Sequence, residues 1–469
     1  MVTCLFLTFA STFDRSMKGF IANYMPRYRS LLFLGVPIIL GQLGVIVMGF
    51  ADTLMIGRHG TDELAASAFV NTIFNLVLIF SAGFASGITP VIGALFGRGD
   101  NRGVGAVLRD SLAANVIVAF LSMLVMLAIY PFLSYMGQPV ELLPYARPYY
   151  LIQVASLPFI LLFYGYKQFA DGITDTRTGM WILLGSNVLN IIFNYILIYG
   201  KCGMPELGLT GAGISTLVSR ISMCAVFAFI FHRTGRYKPF REGFSASRVS
   251  REGMGRLYSL GLPLGIQTAL ESSAWSLSAI MIGWLGAIPL AAYQITVTLG
   301  NIGYMAYLGM GSAVAVEVSR YTGASQFGEV RAMVTAGAHL LFAQACLTGV
   351  LLFLLRNFIP SWFTDDVEVV AVVQTLVIPL IIYQFADAIQ INYANALRGL
   401  ADVRALMFIS LAAFYLLALP VAYLCGFTLS MGVVGVWMGF PVGLFTVAVL
   451  FRWRFGVCLR RIERENTIV

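Results

Sequence analysis

The sequence predicts an all-α integral membrane protein of twelve transmembrane helices, arranged as two equivalent sets of six. Three observations carry that prediction. The chain is 59% hydrophobic and only 11% charged, against about 25% charged in soluble domains. Its apolar runs reach twenty residues or more, enough to cross a bilayer at about 1.5 Å rise per residue, and too long for the alternating ten-residue segments of a membrane barrel. And one register of glycine, proline and loop charges is written twice. Leu34–Pro37 (LGVP) recurs as Leu260–Pro263 (LGLP), Met55-Ile56-Gly57 as Met281-Ile282-Gly283, and Leu64-Ala65-Ala66 as Leu290-Ala291-Ala292; Gly60 pairs with Gly286 and Gly97 with Gly323. Further on, Gly172, Asp175 and Arg177 pair with Gly399, Asp402 and Arg404, and Gly208 and Gly211 with Gly432 and Gly435. A shared register of this kind marks a tandem duplication, a known route to transporter folds with the site at the repeat interface.

Cutting at charge and Gly/Pro clusters gives spans near 31–56, 65–96, 107–131, 148–170, 179–200 and 210–232 in the first half, and near 258–284, 290–318, 332–356, 371–397, 404–426 and 432–455 in the second. Residues 1–28 read as a leader without a cleavage site. The units expected are a first lobe over 29–232, a basic linker over 233–256, a second lobe over 257–456 and a tail over 457–469. The linker holds Arg233, Arg236, Lys238, Arg241, Arg248, Arg251 and Arg256 against Glu242 and Glu252, so the positive-inside rule makes it cytoplasmic. Six spans on either side then place both termini inside, in agreement with the basic C-terminal segment. Arg98, Arg102, Arg177, Arg320, Arg331, Arg398 and Arg404 fall on the same side; Asp62, Glu63, Asp365, Asp366 and Glu368 fall on the other.

The net charge of +8 is accounted for by these loops and calls for no nucleic acid. The six cysteines and three histidines are scattered without metal-ligand or redox spacing, and His339 reads as a packing residue. Lys167 and Asp171 form an i, i+4 pair at the inner end of the fourth span, outside the site. No HExxH, Gly-x-Ser-x-Gly or Walker loop is present, which argues against an enzyme and against ATP-driven transport.

Three acids interrupt apolar spans: Asp52 in the first, Glu271 in the seventh and Asp387 in the tenth. A carboxylate at such depth costs about 2.5–3.5 kcal/mol on insertion scales. Neither Glu271 nor Asp387 has a Lys or Arg one helical turn away. Desolvation disfavours the charged form of such a group, which suits it to exchanging protons or holding a cation. Around them, Tyr383 and Gln384 share a helical face with Asp387, Asn392 and Asn395 extend it, and Gln267 lies one turn before Glu271 with Ser272 and Ser273 adjacent. Such oxygen-rich clusters suit a hard monovalent cation, and a tyrosine face suits an organic one. Asn187, Asn190 and Asn194 form a polar stripe on the fifth span, placed to bond Asp52 or to pack helices through amide bonds.

The block GFADTLMIGRHG around Asp52, the segment from Asn190 to Gly213 and the segment YQFADAIQINYANALRGLADV from Tyr383 to Val403 together resemble the MATE family of multidrug and toxic-compound extrusion transporters, most nearly its NorM-type bacterial branch. The resemblance spans about Arg29 to Arg454. It implies two pseudo-symmetric six-helix lobes around a central cleft that opens alternately to each side of a bacterial inner membrane, with export driven by inward flow of sodium ions or protons. Carried over residue by residue, it implies coupling at Asp52, a cation site at Glu271 and Asp387 that would take Na+, a cation–π contribution from Tyr383, and Asn190 as partner of Asp52. Asn194 departs from the DinF-type branch, which tends to an acid there. The expected partners are small organic cations and the bilayer, the expected state a monomer, and the expected cofactors none beyond the coupling Na+ or H+. The rival reading is a lipid-linked saccharide flippase of a related fold. That protein should carry Arg or Lys in its cavity, whereas the intramembrane charges read from this sequence are acidic.

Overall fold

The computed structural model describes residues 24–466, so the leader expected over residues 1–28 lies mostly outside the described residues. Twelve long helices follow one another: α1 Tyr24–His59, α2 Thr61–Gly97, α3 Asn101–Tyr135, α4 Val140–Gly172, α5 Thr176–Ile198, α6 Gly208–Arg233, α7 Arg251–Gly283, α8 Ala287–Gly323, α9 Phe327–Leu355, α10 Val367–Gly399, α11 Val403–Thr428 and α12 Gly432–Asn466. No strand occurs among the described residues, in agreement with the predicted fold class. Ten of the helices are long and apolar enough to cross a membrane. The other two, α7 and α8, are diluted by Gln267, Glu271, Ser272 and Ser273 and by Asn301 and the scattered glycines Gly300, Gly303, Gly309 and Gly311. Helices generally extend several residues beyond the spans expected from hydropathy, because their polar first turns are capped rather than buried. Asp100 accepts from Gly103 N at 2.8 Å, Asp366 from Glu368 N at 2.9 Å and Ser250 from Gly253 N at 3.2 Å. α12 continues through much of the segment expected as a tail.

The duplication reappears in the packing. α1 lies on α5 as α7 lies on α11, α2 on α4 as α8 on α10, and α4 on α6 as α10 on α12. Equivalent turns share left-handed backbone at Thr174 and Ala401, and at Gly99 and Ser325. The two sets meet through α1 against α8 and α2 against α7, where small residues let backbones approach. A Cβ on Gly83 would come 2.9 Å from Gly265 Cα, and at the equivalent place a Cβ on Gly309 would come 2.9 Å from the Ile39 nitrogen. α2 breaks at Gly87–Ile88 and restarts with Pro90 in its first turn, which swings Thr89–Gly97 onto the end of α8.

The linker is docked rather than loose. Its helix Lys238–Ala246 crosses the start of α3 at two glycines, where a Cβ on Gly105 or on Gly243 would stand 2.0 Å from the Phe240 or Arg102 carbonyl oxygen. Phe240 is buried against the Phe96 and Phe169 rings. Arg109 donates to the Ser247 carbonyl at 2.6 Å, and Asp110 accepts from Ser250 N at 2.8 Å. At the same end Asp175 accepts from the Tyr237 hydroxyl at 2.6 Å and pairs with Arg236 at 3.0 Å, while its repeat equivalent Asp402 pairs with Arg454 at 2.6 Å.

Candidate functional site

In the first six helices Asp52 projects from the C-terminal part of α1 toward α5. Asn194 Nδ2 donates to its Oδ1 at 2.5 Å. Asn190, one turn away, does not reach Asp52: its Oδ1 accepts from Asn194 at 3.2 Å, and its Nδ2 and carbonyl are engaged with Ser215 of α6 at 3.3 and 2.8 Å. The expected partnership of Asn190 with Asp52 is thus corrected to Asn194, because the α5–α6 crossing consumes the Asn190 side chain. Asn187, the third residue of the stripe, has a buried Nδ2 without a partner among the described residues.

A second polar chain crosses the same interior and was not visible in the spacing. Tyr149 donates to Asn71 at 3.2 Å, Gln153 donates to Tyr149 at 2.8 Å, and Arg220 of α6 donates to Gln153 at 3.0 Å and to the Ser156 hydroxyl. The Arg220 guanidinium lies 4.9 Å above the Phe74 ring and within electrostatic reach of Asp52. The expectation that the intramembrane charges are acidic is therefore wrong: Arg220 stands near the middle of an apolar helix, and its signal was a single Arg inside the sixth span.

In the last six helices Gln267 donates to Glu271 Oε1 at 3.0 Å and Ser410 of α11 donates to the same oxygen at 3.2 Å. Glu271 has no Lys or Arg one helical turn away, yet the tertiary fold brings a cation: Arg398, at the end of α10, donates to Gln267 Oε1 at 3.3 Å and lies within electrostatic reach of Glu271. Asp387 is buried, 3% exposed, and accepts from the Tyr383 hydroxyl at 3.4 Å. Glu271 and Asp387 are close enough to repel one another.

Tyr383 belongs to an aromatic group that hydropathy does not reveal. Trp275 meets it edge-on at 5.5 Å and stacks on Phe440 at 3.7 Å, and Trp437 and Tyr293 complete the set. Tyr383 and Trp437 are buried, and Trp275 is the half-buried member. Gln384, Asn392 and Asn395 turn instead to backbone carbonyls, at 3.4 Å to Gly300, 3.1 Å to Val334 and 2.9 Å to Ile391, a packing role. Lys167 and Asp171 form the expected pair at 2.7 Å, and His339 bonds Tyr28 of α1 at 2.9 Å.

The three intramembrane acids do not follow the repeat that the scaffold obeys. In the shared register Asp52 is equivalent to Ser278, and Glu271 to Val45.

Comparison with known proteins agrees with this architecture. The MatE family profile matches residues 37–196 and 263–424, one match in each half. Multidrug resistance protein PmpM of Pseudomonas aeruginosa is 31% identical over 450 residues, 93% of each chain. The probable multidrug resistance protein NorM of Photorhabdus laumondii is 28% identical over 428 residues, 90% of this chain and 94% of its own. The crystal structure of the eukaryotic MATE transporter AtDTX14 superposes with a TM-score of 0.84 at 19% identity, covering 94% of this chain and 99% of that one. The chain belongs to the MATE family, whose members are transporters of small organic compounds rather than enzymes, and it has NorM-type relatives among its matches.

Proposed function

We propose that this protein is a multidrug exporter that expels organic cations in exchange for sodium ions or protons by alternating access. The observation that carries the reading is Asp387, an acid buried among aromatic rings near Glu271, with a separate acid, Asp52, in the other set of helices. Residues 29–232 and 257–456 act as the two lobes, with the basic linker and both termini on the cytoplasmic face of a bacterial inner membrane, and one chain suffices.

The cycle is a competition for a few carboxylates. The substrate enters from the cytoplasmic side; outside, Na+ or H+ binds Asp52, Glu271 and Asp387, weakens substrate binding and permits return. Glu271, Gln267, Ser410 and Asp387 offer oxygen atoms to such an ion, and Arg398 beside Gln267 lowers the cost of Glu271 standing charged when the ion has left. A potential of 100 mV supplies about 2.3 kcal/mol per charge moved, so one or two ions drive useful accumulation. The ion must also favour one facing state over the other, since equal binding shifts nothing.

The test is ethidium efflux from proteoliposomes under an imposed sodium gradient and, separately, an imposed pH gradient, with Asp387→Asn beside the parent. One gradient should drive efflux and the substitution should abolish it. If neither gradient moves dye in folded, inserted protein, the efflux reading fails and a lipid-linked saccharide flippase is the reading to pursue.

A further inference from the structure

At the end of the molecule opposite the linker, the outer face on the orientation proposed above, α1 and α5 leave between them a groove of about 510 Å³. The two helices are tied there: the Tyr199 hydroxyl donates to the Met55 carbonyl at 2.9 Å, and Tyr195 stands edge-on to Tyr199 at 5.9 Å. Arg58, in the last turn of α1, and Lys201, just beyond α5, both line the groove and both are exposed. Neither side chain makes an ion pair or hydrogen bond among the described residues, nor does the Tyr195 hydroxyl. Glu206 is the acid on the rim, and His59 Nε2 engages it at 2.9 Å. Two converging cations run against the bias that leaves outer loops poor in Lys and Arg, and the fold does not require them. In the other repeat, where α7 lies on α11, Trp284 is the equivalent of Arg58 and packs on Phe427 at 5.9 Å. Toward the membrane interior the two helix faces that line the groove stay apolar and exposed: Val47, Phe50 and Leu54 share one face of α1, and Val188, Ile192 and Tyr195 one face of α5.

We propose that this groove binds one phospholipid of the outer leaflet by the phosphate of an anionic headgroup, held between Arg58 and Lys201 and bonded by the Tyr195 hydroxyl, with an acyl chain along Val47, Phe50, Val188 and Ile192. The arginine fork suits two phosphate oxygens and the lysine adds a compact charge, and tyrosines belong at headgroup depth. The bound lipid braces the α1–α5 pairing that also carries the Asn194–Asp52 hydrogen bond. The alternative, two basic side chains that merely snorkel into the headgroup region, predicts no lipid held in fixed proportion to the chain.

The experiment is native mass spectrometry of the purified full-length protein in a nonionic detergent, titrated with dioleoyl phosphatidylglycerol and, separately, dioleoyl phosphatidylcholine. The parent should hold one phosphatidylglycerol per chain, about tenfold or more tightly than phosphatidylcholine, the scale of two basic side chains at a lipid surface. The double variant Arg58→Gln/Lys201→Gln should lose that preference. Arg147→Gln/Arg356→Gln, which removes two basic residues outside the groove, should keep it. No loss in the groove variant, or equal loss in both doubles, overturns the site. Displacement of the lipid by an equal concentration of inorganic phosphate overturns it too, since the groove then takes a free anion. Should the groove variant not fold, the parent decides: phosphatidylcholine held as tightly as phosphatidylglycerol overturns the proposal.

Discussion

Gly97 and Gly323, equivalent residues of the two repeats, close on each other's helix: a Cβ on Gly97 would stand 2.0 Å from the Arg320 carbonyl oxygen, and a Cβ on Gly323 would stand 2.0 Å from the Ala94 carbonyl oxygen. Gly93 and Ser319, also equivalent, face each other beside them. This reciprocal crossing packs α2 against α8 at the end of the molecule that carries the linker, so any movement that separates the two helices there must part it.

Gly97→Ala and Gly323→Ala should each disfavour this closed arrangement by about 1–3 kcal/mol, the cost of overpacking a tight contact. A cysteine at Ser319, buried beneath the crossing, should then label about tenfold faster or more with a thiol reagent in either variant, and transport should fall. Unchanged labelling in both would show that the crossing does not gate this end.

Asn194→Ala should alter the coupling and Asn190→Ala the stability. Removing Asn194 strips Asp52 of its only side-chain donor among the described residues, a loss of about 1–3 kcal/mol for the charged acid, and should weaken ion-driven efflux more than it lowers Tm. Removing the buried Asn190 side chain deletes its 3.3 Å bond to the Ser215 hydroxyl, while the Ser215 bond to the Asn190 carbonyl stays, and should do the reverse. Matching phenotypes would contradict the division of labour.

Trp275→Ala should weaken substrate binding and destabilise the second set of helices by about 3–5 kcal/mol, the usual cost of truncating a large packed aromatic. Tyr383→Phe keeps the ring against Trp275 and removes only a 3.4 Å hydrogen bond to Asp387, so its effect on efflux should be small. A severe Tyr383→Phe defect would assign the hydroxyl a direct part in ion binding.

Tyr237→Phe should loosen the linker. Burial first, and then the hydrogen bond to Asp175, hold the Tyr237 hydroxyl above its usual 10.0. Since the folded state raises this value, the stabilisation is complete below the ordinary tyrosine range and disappears only as pH climbs through the raised one. Losing the bond to a buried carboxylate should cost about 1.5–3 kcal/mol of docking, read as faster limited proteolysis between Arg233 and Arg251 at neutral pH. In the parent, the same acceleration should appear only in strong alkali.

The duplication, the helix count and the three acids were legible in the sequence because each is a matter of period, length or depth: apolar runs of membrane length announce helices, and a lone carboxylate within one is costly enough to stand out. Arg220 carried the same kind of signal in the sixth span. The partners were not legible. Asp52 is bonded by Asn194 and not by Asn190, Glu271 gains Arg398 from another helix, and Trp275, Tyr293 and Trp437 collect around Tyr383 from three helices. These are set by the rotation and crossing of helices, which depend on where small residues such as Gly83, Gly309, Gly97 and Gly323 allow backbones to touch. A one-dimensional pattern fixes which face of a helix is polar; only the packed bundle decides which neighbour that face meets.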